Sequence, residues 1–395
     1  MSKKKLLMTA STFPRWEGDT EPRFILDLAK VVNEYYDVTV LAPAGIGARD
    51  SEIMEGVKVI RYHYLPVHKW ETLCYPGAIV PRIKAKKIRA LQVPFLFMAL
   101  WVTLLRLKSK FDLVHVHWLI PQGIVQGLVG GRNVITCHGT DLTSMNSGIV
   151  KKLKQLCINK ARHVTVVSKK LYQILKEVYN VPDEKISIIS MGCSLSSFSP
   201  AFRDERLLNA DGAKSVLFVG RLVEVKGVKY LIDAMEYVDA KLYIVGTGPD
   251  EEMLKKRAEK YSSKVTFLGS KSHQELAALY ASADVCVFPS IHASDGTEEG
   301  FGLVIIEAMA SGTPVVASKS GGIVDIIEDG VNGLFAEEKN SADLAQKINA
   351  VLQDPAFEAR LRSQAAESVK KYDYSVIARK YADIYDKVLN GGVNK

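Results

Sequence analysis

Cysteine is scarce in this 395-residue chain, and its spacing excludes the usual cysteine-based sites. The five cysteines form no CxxC pair and no zinc-ligand spacing; they are Cys74, Cys137, Cys157, Cys193 and Cys286. A scattered, odd set is typical of buried thiols in a reducing compartment, so we expect a cytoplasmic protein. The basic start of the chain has an apolar run too short for a signal peptide, and it predicts a first strand instead.

Common nucleotide-binding loops are also missing. The chain has no GxxxxGK[ST] loop, which argues against an NTPase, and Gly246-Thr-Gly248 is not a full dinucleotide fingerprint. The first predicted strand is not followed by GxGxxG with a downstream acid, which disfavours an oxidoreductase. A composition of 47% hydrophobic and 24% charged residues predicts a folded protein without extensive disorder.

Acidic residues are absent between Glu71 and Asp112, which helps to give the chain its net charge of +8. The basic residues of this gap are Arg82, Lys84, Lys86, Lys87, Arg89, Arg106, Lys108 and Lys110. They flank an apolar run, residues 91–105, that is shorter than the about 20 residues needed to span a bilayer.

Residues 82–110 therefore fit a helix that lies on an anionic membrane surface, at the inner face of the cell membrane. A buried helix with solvated cations at both ends is the alternative. No nucleic-acid-binding motif accompanies the basic patch, so we expect no nucleic-acid partner.

The order of strand-like and helix-like segments predicts an α/β fold. Strands are predicted at residues 6–11, 37–41, 113–117, 133–137, 163–167 and 185–189, and after a polar stretch at 215–219, 241–245, 265–268, 284–288 and 315–317. Helices at residues 22–34, 228–237 and 251–260 complete βαβ units, which build parallel sheets covered by helices. We predict two Rossmann-like domains, residues 1–205 and 206–373, that face each other across a ligand cleft.

The segment from Glu299 to Ser318 has the most informative pattern. Residues 303–311 predict an apolar helix, which Gly312 and Pro314 end. Glu307 lies within this helix, where an unpaired carboxylate would be costly, so it must have a hydrogen-bonding partner. Hydroxyl acceptors beside a helix N-terminus that attracts phosphate favour a nucleotide-sugar ligand. Glutamates that simply pair with a neighbouring Lys or Arg are the alternative.

A second loop supplies cations. Arg221 and Lys226 follow the strand predicted at residues 215–219, where they would neutralise a diphosphate leaving group without a metal ion. Surface cations at a strand end are the alternative, but the two glutamates favour a binding site.

Together these motifs resemble the family-4 retaining glycosyltransferases of the GT-B fold. The shared features are a glycine loop after the first strand, a His-Gly motif, a Gly-Arg…Lys-Gly loop and two glutamates eight positions apart. The resemblance implies transfer of a hexose from a UDP- or GDP-sugar to a lipid-linked or polysaccharide acceptor in cell-envelope glycan synthesis. It also implies retention of configuration, no metal or other cofactor, and a C-terminal helix at about residues 374–395 that crosses back to the first domain.

The resemblance implies a role for each donor-site residue. Arg221 and Lys226 would bind the diphosphate, Glu307 the ribose and Glu299 the donor sugar, while the loop at Gly269 frames the base. Further donor contacts would come from the backbone or glycine positions Gly18, Gly220, Gly248, Phe301, Gly302 and Leu303.

His138 of the His-Gly motif would lie near the anomeric carbon, as a catalytic residue with Arg221, Lys226 and Glu299. Candidates for the acceptor or the cleft wall are Asp19, His117, Trp118 and Asp141. A metal at His115 and His117 is a further interpretation, since alternate strand residues share a face, but no third ligand stands nearby in sequence.

No carboxylate nucleophile stands in these motifs, so we expect same-face attack in which the leaving phosphate takes the acceptor's proton. Double displacement through an enzymic nucleophile is the alternative chemistry. A sugar-nucleotide epimerase of the same architecture and a non-catalytic nucleotide-sugar-binding protein are the alternative functions.

Overall fold

The computed structural model describes residues 3–19, 21–208 and 212–391, and it divides the chain into two compact units. The N-terminal unit is Met1–Ser190 together with Tyr374–Lys395, and the C-terminal unit is Met191–Asp373. The second unit therefore begins at Met191, whereas the sequence predicted a boundary after residue 205. The reason is local: the N–H of Cys193 bonds the carbonyl of Tyr372 at 2.8 Å, and Phe198 packs edge-on against Tyr280.

The N-terminal unit contains an eight-stranded sheet. Its strands in chain order are β1 (Lys5–Thr9), β2 (Asp37–Pro43), β3 (Ser51–Met54), β4 (Val57–Tyr62), β5 (Leu113–His117), β6 (Asn133–Cys137), β7 (His163–Val166) and β8 (Ile186–Ile188). Their spatial order is β3-β4-β2-β1-β5-β6-β7-β8, and every pair is parallel except the hairpin β3-β4. Apolar side chains fill most of β1, β2 and β6, as expected of strands covered on both faces.

Helices cover this sheet. They are α1 (Phe24–Val32), α2 (Ile79–Ala85), α3 (Val93–Leu107), α4 (Ile124–Val129), α5 (Thr140–Thr143), α6 (Gly148–Lys160) and α7 (Lys169–Glu177). One core cluster places α1 against β1 and β2, and another places α3 and α4 against the opposite residues of the sheet. The buried positions of α3, Leu96, Leu100 and Leu104, recur every four residues, which is the spacing of one helix face.

The C-terminal unit contains a six-stranded sheet whose pairs are all parallel. Its strands are β9 (Ser215–Val219), β10 (Lys241–Val245), β11 (Val265–Gly269), β12 (Val285–Phe288), β13 (Val315–Ser318) and β14 (Leu334–Ala336), in the spatial order β11-β10-β9-β12-β13-β14. Its helices are α8 (Val228–Ala234), α9 (Glu251–Ala258), α10 (His273–Ser282), α11 (Leu303–Ala310), α12 (Ser341–Gln353) and α13 (Pro355–Val369). A capping box between Ser272 and Glu275 starts α10, and Pro355 follows the N-cap Asp354 of α13.

The last helix, α14 (Tyr374–Asn390), returns to the N-terminal unit. Its face of Ile377, Tyr381, Ile384 and Tyr385 is buried against α1 and the first sheet. Residues 392–395, which the sequence included in this helix, lie outside the described residues. The last helix therefore supplies part of the core of a unit that begins at the other end of the chain.

Candidate active site

The loops predicted to bind the donor leave the two central strands of the C-terminal sheet. β9 and β12 are neighbours, and the strand order reverses between them. In open parallel sheets, ligands bind outside the carboxyl ends of the strands at such a reversal. The cationic loop with Arg221 and Lys226 follows β9, and Glu299 lies between β12 and α11. The topology thus collects the predicted donor residues at one edge of one sheet.

Lys226 and Glu299 meet there as an ion pair, and the Ser290 hydroxyl donates to Glu299 Oε2 at 3.4 Å. The side chains of Lys226 and Glu299 are 19% and 16% exposed, so each retains access to a ligand. Glu299 thus pairs with a lysine, as the alternative interpretation expected, and that lysine is the one predicted to bind diphosphate; the binding role of both residues stays a prediction.

Arg221 stands apart from this pair. It is exposed, and within the described parts of the chain its guanidinium has no hydrogen-bonding or ion-pair partner. Its five donors remain available for an anion, which is the geometry that suits phosphate oxygens.

Glu307 lies on α11 and accepts a hydrogen bond from the Tyr280 hydroxyl at 3.1 Å. This confirms that the carboxylate has the partner that its apolar surroundings require. Burial raises the pKa of the Tyr280 phenol well above its usual value, and the Glu307 carboxylate adds to the shift. Tyr280 therefore stays a hydrogen-bond donor that holds Glu307 in one orientation.

The start of α11 requires glycine. Gly302 has φ +99°, which L side chains rarely adopt, and a Cβ there would lie 3.2 Å from Ile305 Cδ1. Among the described residues, no acceptor bonds the N–H groups of Phe301, Gly302 and Leu303, so these donors are free for a ligand. The Phe301 side chain is buried and packs edge-on against Tyr372, which fixes the backbone that carries these donors.

The loops after β9, β10 and β11 are joined by backbone hydrogen bonds. The N–H of Gly220 donates to Val245 at 3.0 Å, and the N–H of Gly246 donates to Gly269 at 2.9 Å. A Cβ on Gly248 would lie 2.1 Å from the Leu222 carbonyl oxygen, so only glycine permits this approach. The predicted phosphate, sugar and base loops are therefore parts of one connected surface of the C-terminal unit.

In the N-terminal unit, the corresponding reversal lies between β1 and β5. The loop after β1 contains Gly18 (φ +82°) and Asp19. Asp19 does not face outward as a free acceptor: its carboxylate binds Arg15 through Nε at 2.8 Å and Nη2 at 2.9 Å, and also accepts the Arg15 N–H. The carboxylate therefore closes its own loop, and the role of Asp19 at the acceptor or the cleft wall stays a prediction.

His117 ends β5 and His138 follows the neighbouring strand β6. Their rings are hydrogen-bonded, with 3.0 Å between His117 Nδ1 and His138 Nε2. Trp118 and Phe24 pack against the His138 ring, with centroids 4.9 and 5.2 Å away. Burial lowers the pKa of His138 to about 3 and that of His117 well below its usual value. Both imidazoles are therefore neutral at physiological pH.

Asp141 is buried at the start of α5. Its carboxylate accepts the N–H groups of Leu119 at 3.1 Å, His138 at 3.0 Å and Gly139 at 2.9 Å. Burial raises its pKa, while these three hydrogen bonds act in the opposite direction. Both carboxylate oxygens thus hold the backbone around His138, and a contact of Asp141 with the acceptor stays a prediction.

His115 has no ring nitrogen free for a metal. Its Nε2 bonds the Thr136 hydroxyl at 2.7 Å and its Nδ1 bonds the Tyr385 hydroxyl at 2.7 Å. The Tyr381 hydroxyl also bonds Thr136, at 3.1 Å. His115 is thus part of a buried network that ties α14 to the sheet, and burial lowers its pKa to about 3.

Three residues that support the site could not be found from motifs. Tyr280 orients Glu307. Arg61 is buried and donates to the carbonyls of Pro14 and Arg15, at 2.7 and 3.1 Å, and these bonds hold the loop after β1 in place. Tyr385 fixes His115 from a helix 270 positions away. Each acts through a contact distant in sequence, and none belongs to a recognisable pattern.

Comparison with known proteins covers nearly the whole chain. The family described as Glycosyltransferase Family 4 matches residues 22–197, and the family described as Glycosyl transferases group 1 matches residues 201–368. An uncharacterized glycosyltransferase of Methanocaldococcus jannaschii is 32% identical over 300 residues, which is 70% of this chain and 75% of the relative.

Two further similarities add detail. A phosphatidyl-myo-inositol mannosyltransferase of Mycobacterium leprae is 38% identical over 185 residues, covering 45% of this chain and 48% of that protein. The crystal structure of Anabaena HepE in complex with UDP-glucose superimposes with a TM-score of 0.72 and 20% identity, over 97% of this chain and 99% of HepE. The two parallel-sheet units, the ordered motifs and these matches lead to one conclusion: the chain belongs to glycosyltransferase family 4 and is a hexosyltransferase of the GT-B type.

Proposed function

We propose that this hexosyltransferase retains the anomeric configuration and transfers a hexose from a UDP- or GDP-sugar to a lipid-linked or polysaccharide acceptor, without a metal ion. The observation that carries the proposal is the Lys226–Glu299 pair together with the unpartnered Arg221 guanidinium on the same loop as Lys226. The UDP-glucose complex of HepE supports the donor class, and the name of the mycobacterial mannosyltransferase supports a lipid acceptor.

The cations take the place of a metal in this proposal. The Lys226 ammonium has three donors, and Glu299 occupies one side of it. A diphosphate binds the remaining donors of Lys226 and the fork of Arg221. As the bond to the sugar breaks, negative charge grows on the β-phosphate. Both cations therefore bind the β-phosphate more strongly in the transition state than in the ground state.

Glu299 and Glu307 then hold hydroxyl groups. Glu307, oriented by Tyr280, accepts the ribose hydroxyls, and Glu299 accepts those of the donor sugar. The acceptor attacks the same face that the leaving group vacates, and the departing phosphate takes the acceptor's proton. In the N-terminal unit, His138, Trp118 and Gly18 are the residues proposed to recognise hydroxyl groups.

A thermal-shift panel of UDP, GDP, ADP and their sugars tests the donor assignment. Binding at 100-fold over Kd stabilises a folded protein by about 2.7 kcal/mol, so the correct base raises Tm and the others do not. The response must disappear in Arg221→Ala and persist in Arg203→Ala, a matched change at an exposed arginine whose pairing with Glu205 lies away from these loops. A nucleotide response that survives in Arg221→Ala contradicts the proposed diphosphate site.

Product analysis then separates the chemistries. A transferase releases free nucleoside diphosphate only when an acceptor is present, whereas an epimerase interconverts the sugar nucleotide without releasing it. NMR of the product reports the anomeric configuration, and activity that persists in excess EDTA is expected. Inversion, or a requirement for added divalent metal, would overturn these parts of the proposal.

Contact with a membrane is part of the same proposal and concerns α3. Its inner face is buried in the N-terminal unit. Its outer face is also apolar but exposed; it consists of Phe95, Met98, Trp101 and Leu105, and exposed Leu91 lies just before the helix. Phe95 is 55% and Met98 57% exposed, whereas Leu100 on the inner face is fully buried. An exposed face formed by several neighbouring large apolar side chains is characteristic of an interaction surface.

The charges around this face select the partner. Exposed Lys84, Lys86 and Lys87 precede α3, exposed Arg106 lies in its last turn and exposed Lys110 follows it, so cations border the apolar face at both ends. Among the described residues, the stretch Lys87–Lys110 is long and apolar enough to cross a membrane by length and composition. Because Leu96 and Leu104 belong to the core, we propose instead that α3 lies along the cytoplasmic surface of an anionic bilayer.

Vesicle flotation tests this contact. We expect binding to vesicles that contain phosphatidylglycerol, weaker binding at high salt, and loss of at least tenfold in affinity for the double variant Phe95→Ser/Met98→Ser. Ile53→Ser changes an equally exposed apolar residue of the same unit and serves as the control. Absence of binding at low salt, or self-association through this face in sedimentation experiments, would remove the membrane assignment.

A further inference from the structure

The hydrogen bond between His117 and His138 has a consequence for both rings. The bond joins two ring nitrogens, His117 Nδ1 and His138 Nε2, across 3.0 Å, and it contains one proton. The other two ring nitrogens, His117 Nε2 and His138 Nδ1, are buried and have no protein partner among the described residues. A buried polar atom without a partner costs free energy unless a ligand or water satisfies it.

One proton between two neutral rings couples their tautomers. If His117 donates through Nδ1, then His138 accepts through Nε2 and must have its own proton on Nδ1. If His138 donates through Nε2, then His117 must have its proton on Nε2. The two rings therefore always have the same tautomer, and the pair always offers one outer donor and one outer acceptor.

The surroundings hold His117 firmly. Its ring lies against His115, with centroids 4.1 Å apart, and His115 is fixed by Thr136 and Tyr385. On the other side, the His138 side chain packs against the rings of Trp118 and Phe24, and within the described parts of the chain its one polar contact is this hydrogen bond. The hydrogen bond to His117 thus links the His138 side chain to the sheet. Because the pKa of each ring is lowered, both rings stay neutral.

We propose that His117 is a positioning residue, which couples its own tautomer to that of His138 and fixes the orientation of the His138 ring, so that Nδ1 of His138 meets a sugar hydroxyl group. The substrate class rests on the proposed function, whereas the coupling of the two rings does not. A hydroxyl group both donates and accepts, so it satisfies the outer nitrogen of His138 in either tautomer. Removing His117 deletes this coupling together with the hydrogen bond that orients the His138 ring.

Imidazole NMR of the ¹⁵N-labelled wild-type protein gives the first test, without any substrate. The long-range ¹⁵N–¹H pattern must show His117 and His138 in the same tautomer, either both Nδ1–H or both Nε2–H. Opposite tautomers in the two rings would overturn the coupling. Because no variant is involved, this test does not depend on whether a mutant folds.

Two variants give the kinetic test. His117→Asn retains a hydrogen-bonding group near the Nδ1 position, whereas His117→Leu removes it at similar size. We expect kcat to fall about 10- to 100-fold in His117→Leu with little change in KM, the usual size of effect when a group that orients a functional side chain is removed. The Asn variant must recover most of that loss. Equal kinetics in the two variants, or a single unchanged His138 tautomer in His117→Leu, would overturn the positioning role.

The outcomes separate the two proposals. If the rings share a tautomer but no glycosyl transfer is found with any donor, the proposed function fails and the coupling stands. If transfer is found and the rings have opposite tautomers, the positioning role fails and the proposed function stands.

Discussion

The two units present opposite kinds of polar chemistry at their strand reversals. In the C-terminal unit, the reversal is occupied by full charges: Lys226 paired with Glu299, and Arg221 without a partner among the described residues. In the N-terminal unit, an Arg15–Asp19 ion pair closes the loop after β1, but β5 and β6 carry neutral imidazoles at their carboxyl ends, those of His115, His117 and His138, each with a lowered pKa. The folds are alike, and the difference lies in the side chains at the carboxyl ends of the central strands.

This difference matches the chemistry that each part is proposed to recognise. A diphosphate is anionic, and a charged pair that keeps partial exposure can transfer its lysine to a new anion at small cost. Sugar hydroxyls are neutral, and a buried neutral network orients them without the penalty of desolvated charge. A positive imidazole beside an oxocarbenium-like sugar would also repel it, so keeping these rings neutral is itself useful.

The largest expected effect comes from removing charge in the C-terminal unit. Lys226→Ala should lower kcat about 10²- to 10³-fold, the usual cost of losing one donor that stabilises developing charge. Lys226→Arg retains the charge and should retain more activity. Steady-state kinetics and Tm are measured together, and a variant that keeps full kcat would contradict the role of the pair.

A smaller effect is expected at Glu307. Glu307→Ala should weaken binding of the cognate nucleoside diphosphate about 10- to 100-fold, because a bidentate contact to two ribose hydroxyls is worth about 1 to 3 kcal/mol. Tyr280→Phe removes only the orienting hydroxyl and should cost less. Calorimetric titration measures both. If Tyr280→Phe weakens binding as much as Glu307→Ala, the ribose assignment fails.

The stability of the N-terminal unit should depend on pH, because its imidazoles are held neutral. His115 has a pKa of about 3 in the folded chain and about 6.5 unfolded, so between these values only the unfolded state takes up the proton. The free energy of unfolding should therefore fall as the pH falls from about 6.5 toward 4. In His115→Asn, the slope should be shallower by up to about 1.4 kcal/mol per pH unit, measured by denaturant titration at several pH values. Parallel curves for the two proteins would show that His115 is not held neutral.

The smallest effect is expected from Tyr385→Phe. The change removes the hydroxyl that bonds His115 Nδ1 and should cost about 1 kcal/mol of stability, with little effect on kcat. Tyr261→Phe is a matched control, since its hydroxyl bonds Glu236 at an exposed position. A Tyr385→Phe variant as stable as the wild type would show that the network is not a support for the sheet.

The sequence predicted central elements better than edges. The bounds predicted for β5, β6, β9 and β10 are those observed, because these strands are buried on both faces and read as continuous apolar runs. The hairpin β3-β4 and the strand β14 were not predicted: polar residues interrupt the apolar residues of β3 and β4, and β14 has only three residues. Helix α8 ends at Ala234, before the predicted residue 237, where the chain tightens into turns.

For the site, sequence motifs identified the chemistry but not the pairing. Motifs bring Lys226 and Glu299 to the same sheet edge, but only the fold shows that they pair across 73 positions. Asp141 and Asp19 have the composition of acceptor contacts, yet their carboxylates hold backbone and Arg15, which no local pattern distinguishes. Tyr280 and Tyr385 lie in helices where a tyrosine is indistinguishable from core packing.

The return of α14 to the first unit limits how the protein can be dissected. A fragment that stops after Ser190 would lack Tyr381 and Tyr385 and would expose the apolar surface they cover, so it should aggregate on expression. The second unit, in contrast, is one uninterrupted stretch of chain and can be excised as such. A chain in which a short linker replaces residues 191–373 is therefore the rational way to obtain the first unit alone.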